Sequence, residues 1–304
     1  MNAVNGSVPC KDAPSSVENL PMNSLPTILA IDAAWTAGQP SGVALVQQRG
    51  ARWHLIALAP SYRNFTELAE GMATDWSISR FPGSEPDIPY LLEAAEQLGG
   101  YPPDLVTIDM PVAKTPFATR RPSDRIVSRE FGSRWCAAHS PTAARPGALG
   151  VRISDALSAA GYELATTTTH LSGTRKFLEV YPHPALLSLL QRPRRVPYKV
   201  SKSRKYWPRE PVPVRVRNLL DEFKAIRLAL VEVFNGPMLE LPEPDDVRSL
   251  SALKRYEDAL DALVCAWVGV EYLAGRTVPL GDGDAAIWCP EDVVQIRDED
   301  LRGG

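Results

Sequence analysis

Hydrophobic positions near the start of the chain form short runs rich in β-branched residues, which predict buried strands. The first run is TILAID, residues 27–32, and two more follow at 42–48 (GVALVQQ) and 53–59 (WHLIALA). The loop QRGAR joins the last two, so the three runs predict an antiparallel meander. Similar runs at 105–113 (LVTIDMPVA) and 176–182 (KFLEVYP) predict two later strands, each running into proline.

Other segments place their hydrophobic residues at helical spacing. They are FTELAEGMATDW (65–76), IPYLLEAAEQLGG (88–100), ISDALSAAGY (153–162), and two longer amphipathic stretches at about 215–235 and 248–274. Strands mixed with helices, after an opening meander, predict an α/β fold in which helices flank a mixed sheet.

Composition suits one sizeable globular unit. The 304 residues are 44% hydrophobic and 23% charged, with a net charge of −3, which is ordinary for a soluble domain. The sequence predicts a disordered N-terminal tail over 1–25 and a C-terminal tail over 291–304. Between them we expect a single domain over 26–290, with a basic insertion at about 192–214.

The cysteines and the hydropathy profile favour a cytoplasmic location. Cys10, Cys136, Cys265 and Cys289 are far apart and form no CxxC pair, which argues against a zinc ribbon or a thioredoxin-type motif. No apolar run reaches the ~18 residues of a membrane span, and the first 25 residues do not resemble a secretory signal. We therefore expect no membrane partner. The oligomeric state stays open.

Five acidic residues occupy positions where carboxylates are costly unless they are paired or bind a metal. Asp32 and Asp109 each end an apolar strand, and Glu179 lies within one. Asp258 and Asp261 are three residues apart and share one face of a predicted helix. Plainer explanations exist: strand-end aspartates can form turns, Glu179 can face solvent, and acidic residues early in a helix suit its dipole.

The order of these motifs resembles a known family. The chain has a strand ending in Asp, a meander, a strand ending in Asp-Met-Pro, the loop RPSDRIVSREFG, a strand EVYP and a helix with DALDAL. This order is similar to the family called domain of unknown function 429, which is itself predicted to be a nuclease of the RNase H-like fold. The DALDAL helix also resembles the last catalytic helix of the RuvC resolvase. The resemblance implies that the strands of Asp32 and Asp109 are adjacent and parallel at the sheet centre, with that helix packed across their ends.

The resemblance implies a metal-dependent nuclease, which is a hydrolase of phosphodiester bonds. Two Mg²⁺ or Mn²⁺ ions about 3.5–4 Å apart can activate water and stabilise the leaving oxygen. Asp32 would bridge both ions, Asp109 would bind one, and Asp261 with Asp258 the other. Glu179 would orient a water or help to hold a metal.

Basic residues predict a nucleic-acid partner. Eight cations and no acid lie within residues 192–209, interleaved with aromatic rings, which is typical of a groove that tracks a phosphate backbone. A second arginine group follows the Asp109 strand. The predicted contacts are Arg121, Arg125, Arg129, Arg194, Arg195, Lys199, Lys202, Arg204, Lys205, Tyr206 and Trp207. Alternatively, the basic stretch is a solvated loop, and Asp124 pairs with the neighbouring arginines.

Two other functions remain open. One is a non-catalytic RNase H-like module that binds nucleic acid or a protein. The other is a sugar-kinase or actin-like phosphotransferase, which would need a glycine-rich phosphate turn after the first strand. Here that turn is AAWTAGQPSG, which is bulky, and neither GxxxxGK[ST] nor GxGxxG occurs. The sequence leaves open whether the substrate is DNA or RNA, and whether cleavage is internal or terminal.

Overall fold

A mixed sheet forms the centre of the protein in a computed structural model that describes residues 25–78, 80–170 and 175–294. The strands within these ranges are β1 (Thr27–Asp32), β2 (Gly42–Arg49), β3 (Arg52–Ala59), β4 (Leu105–Ile108), β5 (Glu163–Leu164), β6 (Lys176–Val180), β7 (Phe234–Asn235), β8 (Thr277–Gly281) and β9 (Ala286–Pro290). Their order across the sheet is β7-β3-β2-β1-β4-β6-β9-β8, and β5 pairs with β6.

The predicted meander and the parallel centre are both confirmed. Strands β1, β2 and β3 are successively antiparallel, whereas β1, β4, β6 and β9 run parallel. Ile31 is in register with Ile108, and the backbone N–H of Asp109 donates to the Ile31 carbonyl at 2.9 Å. Asp32 and Asp109 therefore follow neighbouring strands at the same level.

Helices cover both faces of the sheet. The α-helices of the described ranges are α1 (Tyr62–Ala69), α2 (Ile88–Gly99), α3 (Pro122–Phe131), α4 (Leu149–Ala159), α5 (Pro182–Leu189), α6 (Ser203–Tyr206), α7 (Val212–Val231) and α8 (Lys254–Leu273). Short 3₁₀ helices lie at Gly132–Arg134, Val200–Lys202, Pro244–Asp246 and Leu250–Leu253. None of the helices in the described part of the chain is long and apolar enough to cross a membrane.

Alternation along the strands creates two hydrophobic layers. Ile28 and Ala30 of β1 face a cluster built with α5, α7 and α8. Leu29 and Ile31 face the opposite cluster, built with α1, α2 and α4. Both faces are covered, which explains why β1 and β4 are continuous apolar runs.

Helix α8 lies close against the sheet because glycines allow it. A Cβ atom on Gly42 would overlap the backbone carbonyl of Asp258, and one on Gly269 would lie 2.9 Å from the Thr107 side chain. Gly42 is in register with Asp32. The acidic first half of α8 is thereby brought to the end of β1, as predicted, whereas its second half lies on the face of the sheet over Ile28 and Thr107.

Several boundaries differ from those predicted. Strand β4 ends at Ile108 and β6 at Val180, since the prolines beyond them interrupt the ladders. Helix α5 was missed, although prolines are tolerated in a helix's first turn. Tails were predicted at 1–25 and 291–304, and of these residues 1–24 and 295–304 lie outside the described ranges. Val293 is 1% exposed within a small third cluster, so the folded part extends past residue 290.

The basic stretch is not a simple inserted loop. Val196, Tyr198 and Val200 are buried in the cluster beneath α8, and two short helical segments follow. Residues from Val212 onward already belong to α7. Alternating hydrophobic residues within 196–200 anchor the stretch in the core, so its cations divide between the interior and the surface.

Candidate active site

A cleft of about 700 Å³ opens at the carboxyl ends of the parallel strands. This is the edge at which open α/β sheets bind ligands. Four of the five predicted acids line it, namely Asp32, Asp109, Glu179 and Asp258, whereas Asp261 does not. The strand ends and the first half of α8 therefore bring together residues that are distant in sequence.

Asp32 and Asp109 are partly exposed at the floor of this cleft. Among the described residues, no side-chain hydrogen-bond donor and no cation pairs with either carboxylate. Burial raises the pKa of Asp32 to about 7; Lys199 opposes this rise and Asp258 adds to it. Burial, together with the charge of Asp32, raises the pKa of Asp109 well above its usual value. Two adjacent carboxylates in this setting need a proton or a cation.

Asp258 is the α8 acid that reaches the cleft. It is 1% exposed, and one of its oxygens forms a salt bridge with Lys254. The other oxygen, Oδ2, is buried without a hydrogen-bond partner. Burial raises the pKa of Asp258 to about 6, against the effect of Lys254. An unsatisfied buried carboxylate oxygen at a cleft indicates a place for a ligand.

Asp261 lies beneath the cleft rather than in its lining. It is fully buried, accepts a hydrogen bond of 2.5 Å from the Tyr198 hydroxyl, and forms a salt bridge with Lys199. Burial raises its pKa to about 6, and Lys199 opposes that rise. In this structure both oxygens of Asp261 have partners, so its predicted role as a metal ligand requires a rearrangement.

Glu257 is an acid that the sequence reasoning missed. One of its oxygens accepts a hydrogen bond of 2.6 Å from the Val200 backbone N–H. The other lies 3.4 Å from the Lys199 ammonium and 3.1 Å from that of Lys254. A signal was present, because positions 254, 257, 258 and 261 follow the spacing of a single helix face.

Glu179 is occupied by an arginine. Arg121 bonds both of its oxygens, at 2.6 and 2.7 Å, and also bonds Asp124 at 2.7 Å. Glu179 additionally accepts from the Val112 N–H at 3.0 Å, while Arg121 donates to the Val112 carbonyl. Burial raises the pKa of Glu179 above its usual value, and Arg121 opposes part of this rise. Glu179 thus fixes the loop after Asp109, and buried Arg121 is not placed to contact phosphate.

The remaining predicted basic contacts form two groups. Lys199, Lys202 and Arg195 line the cleft. Others are exposed outside its lining, and Arg194 lies 5.1 Å from the centre of the exposed Trp135 ring. These exposed cations are Arg125, Arg129, Arg194, Arg204 and Lys205.

The predicted stacking rings face inward more than expected. Trp207 packs against the main hydrophobic cluster. The Tyr206 ring meets the Trp207 ring edge to face, with 5.6 Å between the ring centres. Sequence reasoning did not assign Arg145, His139 or Lys254 to the cleft, all of which line it. The cleft wall is therefore strongly basic above an acidic floor.

Oxygen ligands suited to a divalent cation are found at one place in the cleft. The described residues contain no group of three or more His, Cys, Asp or Glu side chains placed to hold a metal ion. The ammonium groups of Lys199 and Lys254 bond to the α8 acids, and Asp32 and Asp109 remain as an unpaired set of oxygen ligands. Mg²⁺ is commonly held by one or two carboxylates, with waters and substrate phosphates completing its shell. The Asp32–Asp109 pair fits that requirement.

Comparison with known proteins places the chain in a family. The family model described as "Protein of unknown function (DUF429)" matches residues 31–286, which is most of the chain. The chain belongs to this family, as its motif order predicted. No curated protein and no solved structure gives a significant match.

Proposed function

We propose that this member of the DUF429 family hydrolyses phosphodiester bonds in nucleic acid and requires Mg²⁺ or Mn²⁺. The observation that carries the proposal is the pair Asp32 and Asp109, two adjacent carboxylates at the floor of a cleft to which no side chain of residues 25–78, 80–170 and 175–294 donates a hydrogen bond or pairs a charge. The adjacency of β1 and β4, and the packing of α8 across their ends, is the architecture implied by the RNase H-like resemblance.

Asp32 and Asp109 would hold the cation. A divalent ion bound there would act as a Lewis acid, lowering the pKa of a bound water and screening charge on a phosphate oxygen. Asp258 lines the same cleft and has one carboxylate oxygen without a hydrogen-bond partner, so it would orient the attacking water. Its raised pKa gives Asp258 some capacity to take up a proton near neutral pH.

The basic wall would hold the substrate. Lys202, Arg195 and Arg145 can each donate hydrogen bonds to phosphate oxygens. In the reaction a water oxygen bonds to phosphorus and one P–O ester bond breaks. The electron pair of that bond goes to the departing oxygen, which takes up a proton. One water is consumed, and the products are a phosphate monoester and a hydroxyl.

Cleavage assays test this proposal. Plasmid DNA and single-stranded RNA are incubated with Mg²⁺ or Mn²⁺ and the wild-type protein, Asp32→Asn or Asp109→Asn. Each variant should lose at least about 100-fold in rate, because it removes a ligand of the activating ion. The matched control is Asp155→Asn, an exposed aspartate of α4 outside the cleft, which should retain full rate.

Two results would reject the hydrolytic proposal. The first is cleavage by Asp32→Asn and Asp109→Asn at the rate of the control. The second is binding of nucleic acid without cleavage under every metal condition, which would instead support a non-catalytic module.

A cytoplasmic location is also part of the proposal. Cys136, Cys265 and Cys289 are free and buried, which suits a reducing compartment. Fractionation of cells that express the full chain tests this, and recovery in a secreted or membrane fraction would contradict it.

A further inference from the structure

The Lys199 ammonium lies among the acids of α8. It forms salt bridges with Asp261 and Glu257, and its side chain is 18% exposed where it lines the cleft. The ammonium therefore contacts buried carboxylates, while the Lys199 side chain as a whole stays partly exposed in the cleft.

The backbone around Lys199 is fixed to the same helix. The preceding residue, Tyr198, is fully buried and donates its hydroxyl to Asp261 at 2.5 Å. The following residue, Val200, is buried and donates its N–H to Glu257 at 2.6 Å. Lys199 thus lies between two hydrogen bonds to the acids that its ammonium contacts. Its backbone is held beside α8 in this way, and its ammonium leaves the acids only by breaking its own salt bridges.

Charge is distributed unevenly within the site. The three α8 acids Glu257, Asp258 and Asp261 share two ammonium groups, from Lys199 and Lys254. In contrast, Asp32 and Asp109 have no paired cation among the described residues. One divalent ion balances the two carboxylates of Asp32 and Asp109, whereas the α8 acids already have two ammonium groups among them.

We infer that Lys199 takes the place of a second metal ion, so that the site binds one divalent cation, between Asp32 and Asp109. The inference rests on the proposed function and replaces the two-metal arrangement that the family resemblance implies. In a two-metal site the second ion screens charge on the phosphate and the leaving oxygen. Here the Lys199 ammonium is the built-in positive charge that performs this screening, as a point charge rather than a Lewis acid.

Metal stoichiometry tests this inference without relying on activity. Mn²⁺ binding to the full-length protein is measured by isothermal titration calorimetry and by electron paramagnetic resonance. The variants are Lys199→Met and, as a matched control, Lys224→Met, which changes an exposed lysine of α7. Wild type and control should bind one ion. Lys199→Met should bind two, because it frees Asp261 and Glu257 as oxygen ligands.

A second variant guards against misfolding. Lys199→Met leaves a buried carboxylate without its cation, which can be strongly destabilising. The double variant Lys199→Met/Asp261→Asn removes that uncompensated charge. It should fold, as shown by circular dichroism, and should return to one bound ion.

The outcomes separate the two proposals. Two ions bound to wild type would overturn the inference and leave the proposed function intact. One ion bound to both wild type and folded Lys199→Met would show that Lys199 does not exclude a second ion, and would also overturn it. No Mn²⁺ bound to wild type would reject the metal-dependent function itself, and the inference with it.

Discussion

Removing the Asp32 charge should make the metal-free protein more stable, even though it abolishes the proposed activity. Burial disfavours the charged form of this carboxylate, which lies near Asp258 and Asp109 and has no paired cation in the part of the chain that the structure describes. Its ionised form therefore opposes folding. Asp32→Asn keeps the shape of the side chain and removes this charge.

The sign follows from proton linkage. The pKa of Asp32 is raised from 3.8 to about 7 in the folded protein, so the folded state holds a proton that the unfolded chain releases. Stability is consequently lost as the pH rises from about 4 to about 7. One pKa unit corresponds to ~1.4 kcal/mol. Ionisation of Asp32 therefore lowers the free energy of unfolding by at most about 4 kcal/mol at pH 8, and by less than about 2 kcal/mol at pH 5.

Thermal melts in the presence of EDTA measure this effect. At ~2 °C per kcal/mol for a chain of this size, Asp32→Asn should melt about 4–8 °C above wild type at pH 8. The gap should shrink by more than half at pH 5. Adding Mn²⁺ at pH 8 should raise the Tm of wild type. At a hundredfold excess over Kd the ion should stabilise wild type by about 2.7 kcal/mol. The Tm of the variant should not change.

The exposed Asp155→Asn substitution is the control and should match wild type at both pH values. If Asp32→Asn is less stable than wild type at pH 8, or if the gap is the same at pH 5, the Asp32 carboxylate is not under electrostatic strain. A cation would then not be needed to balance charge at this position.

Three further predictions address the supporting structure. Glu179→Gln should lower the free energy of unfolding in urea by about 3 kcal/mol, because Arg121 loses a buried partner; a loss below about 1 kcal/mol would contradict the role of this pair. Gly42→Ala should destabilise by at least about 2 kcal/mol and weaken Mn²⁺ binding, since its Cβ meets the backbone of α8. Gly38→Ala has open space and is the control, so equal effects would refute the close approach. Three exposed cations can be neutralised together by Arg194→Gln, Arg204→Gln and Lys205→Gln. The negative slope of log affinity against log salt for single-stranded DNA should then become less steep by about 2. An unchanged slope would exclude these cations from binding.

Much of the fold could be predicted because its signals are local. The apolar runs at β1 to β4 and β6 are short, β-branched and bounded by turns, so they identify strands without knowledge of their neighbours. The two-residue strands β5 and β7 were missed, since only pairing defines them. Helix α5 was missed because its prolines suggested a stop rather than a first turn.

The sequence by itself determined which acids end the strands and which lie on one helix face, because both depend on spacings of a few residues. Only the tertiary structure decided which of them are neutralised. Lys199 meets Asp261 across 62 residues, and Arg121 meets Glu179 across 58. From the sequence alone, a lysine or arginine could pair with a carboxylate of the protein or with a phosphate of a ligand, since both carry anionic oxygens. Folding decides between them because it buries a carboxylate beside the cation, and an unpaired buried charge is too costly.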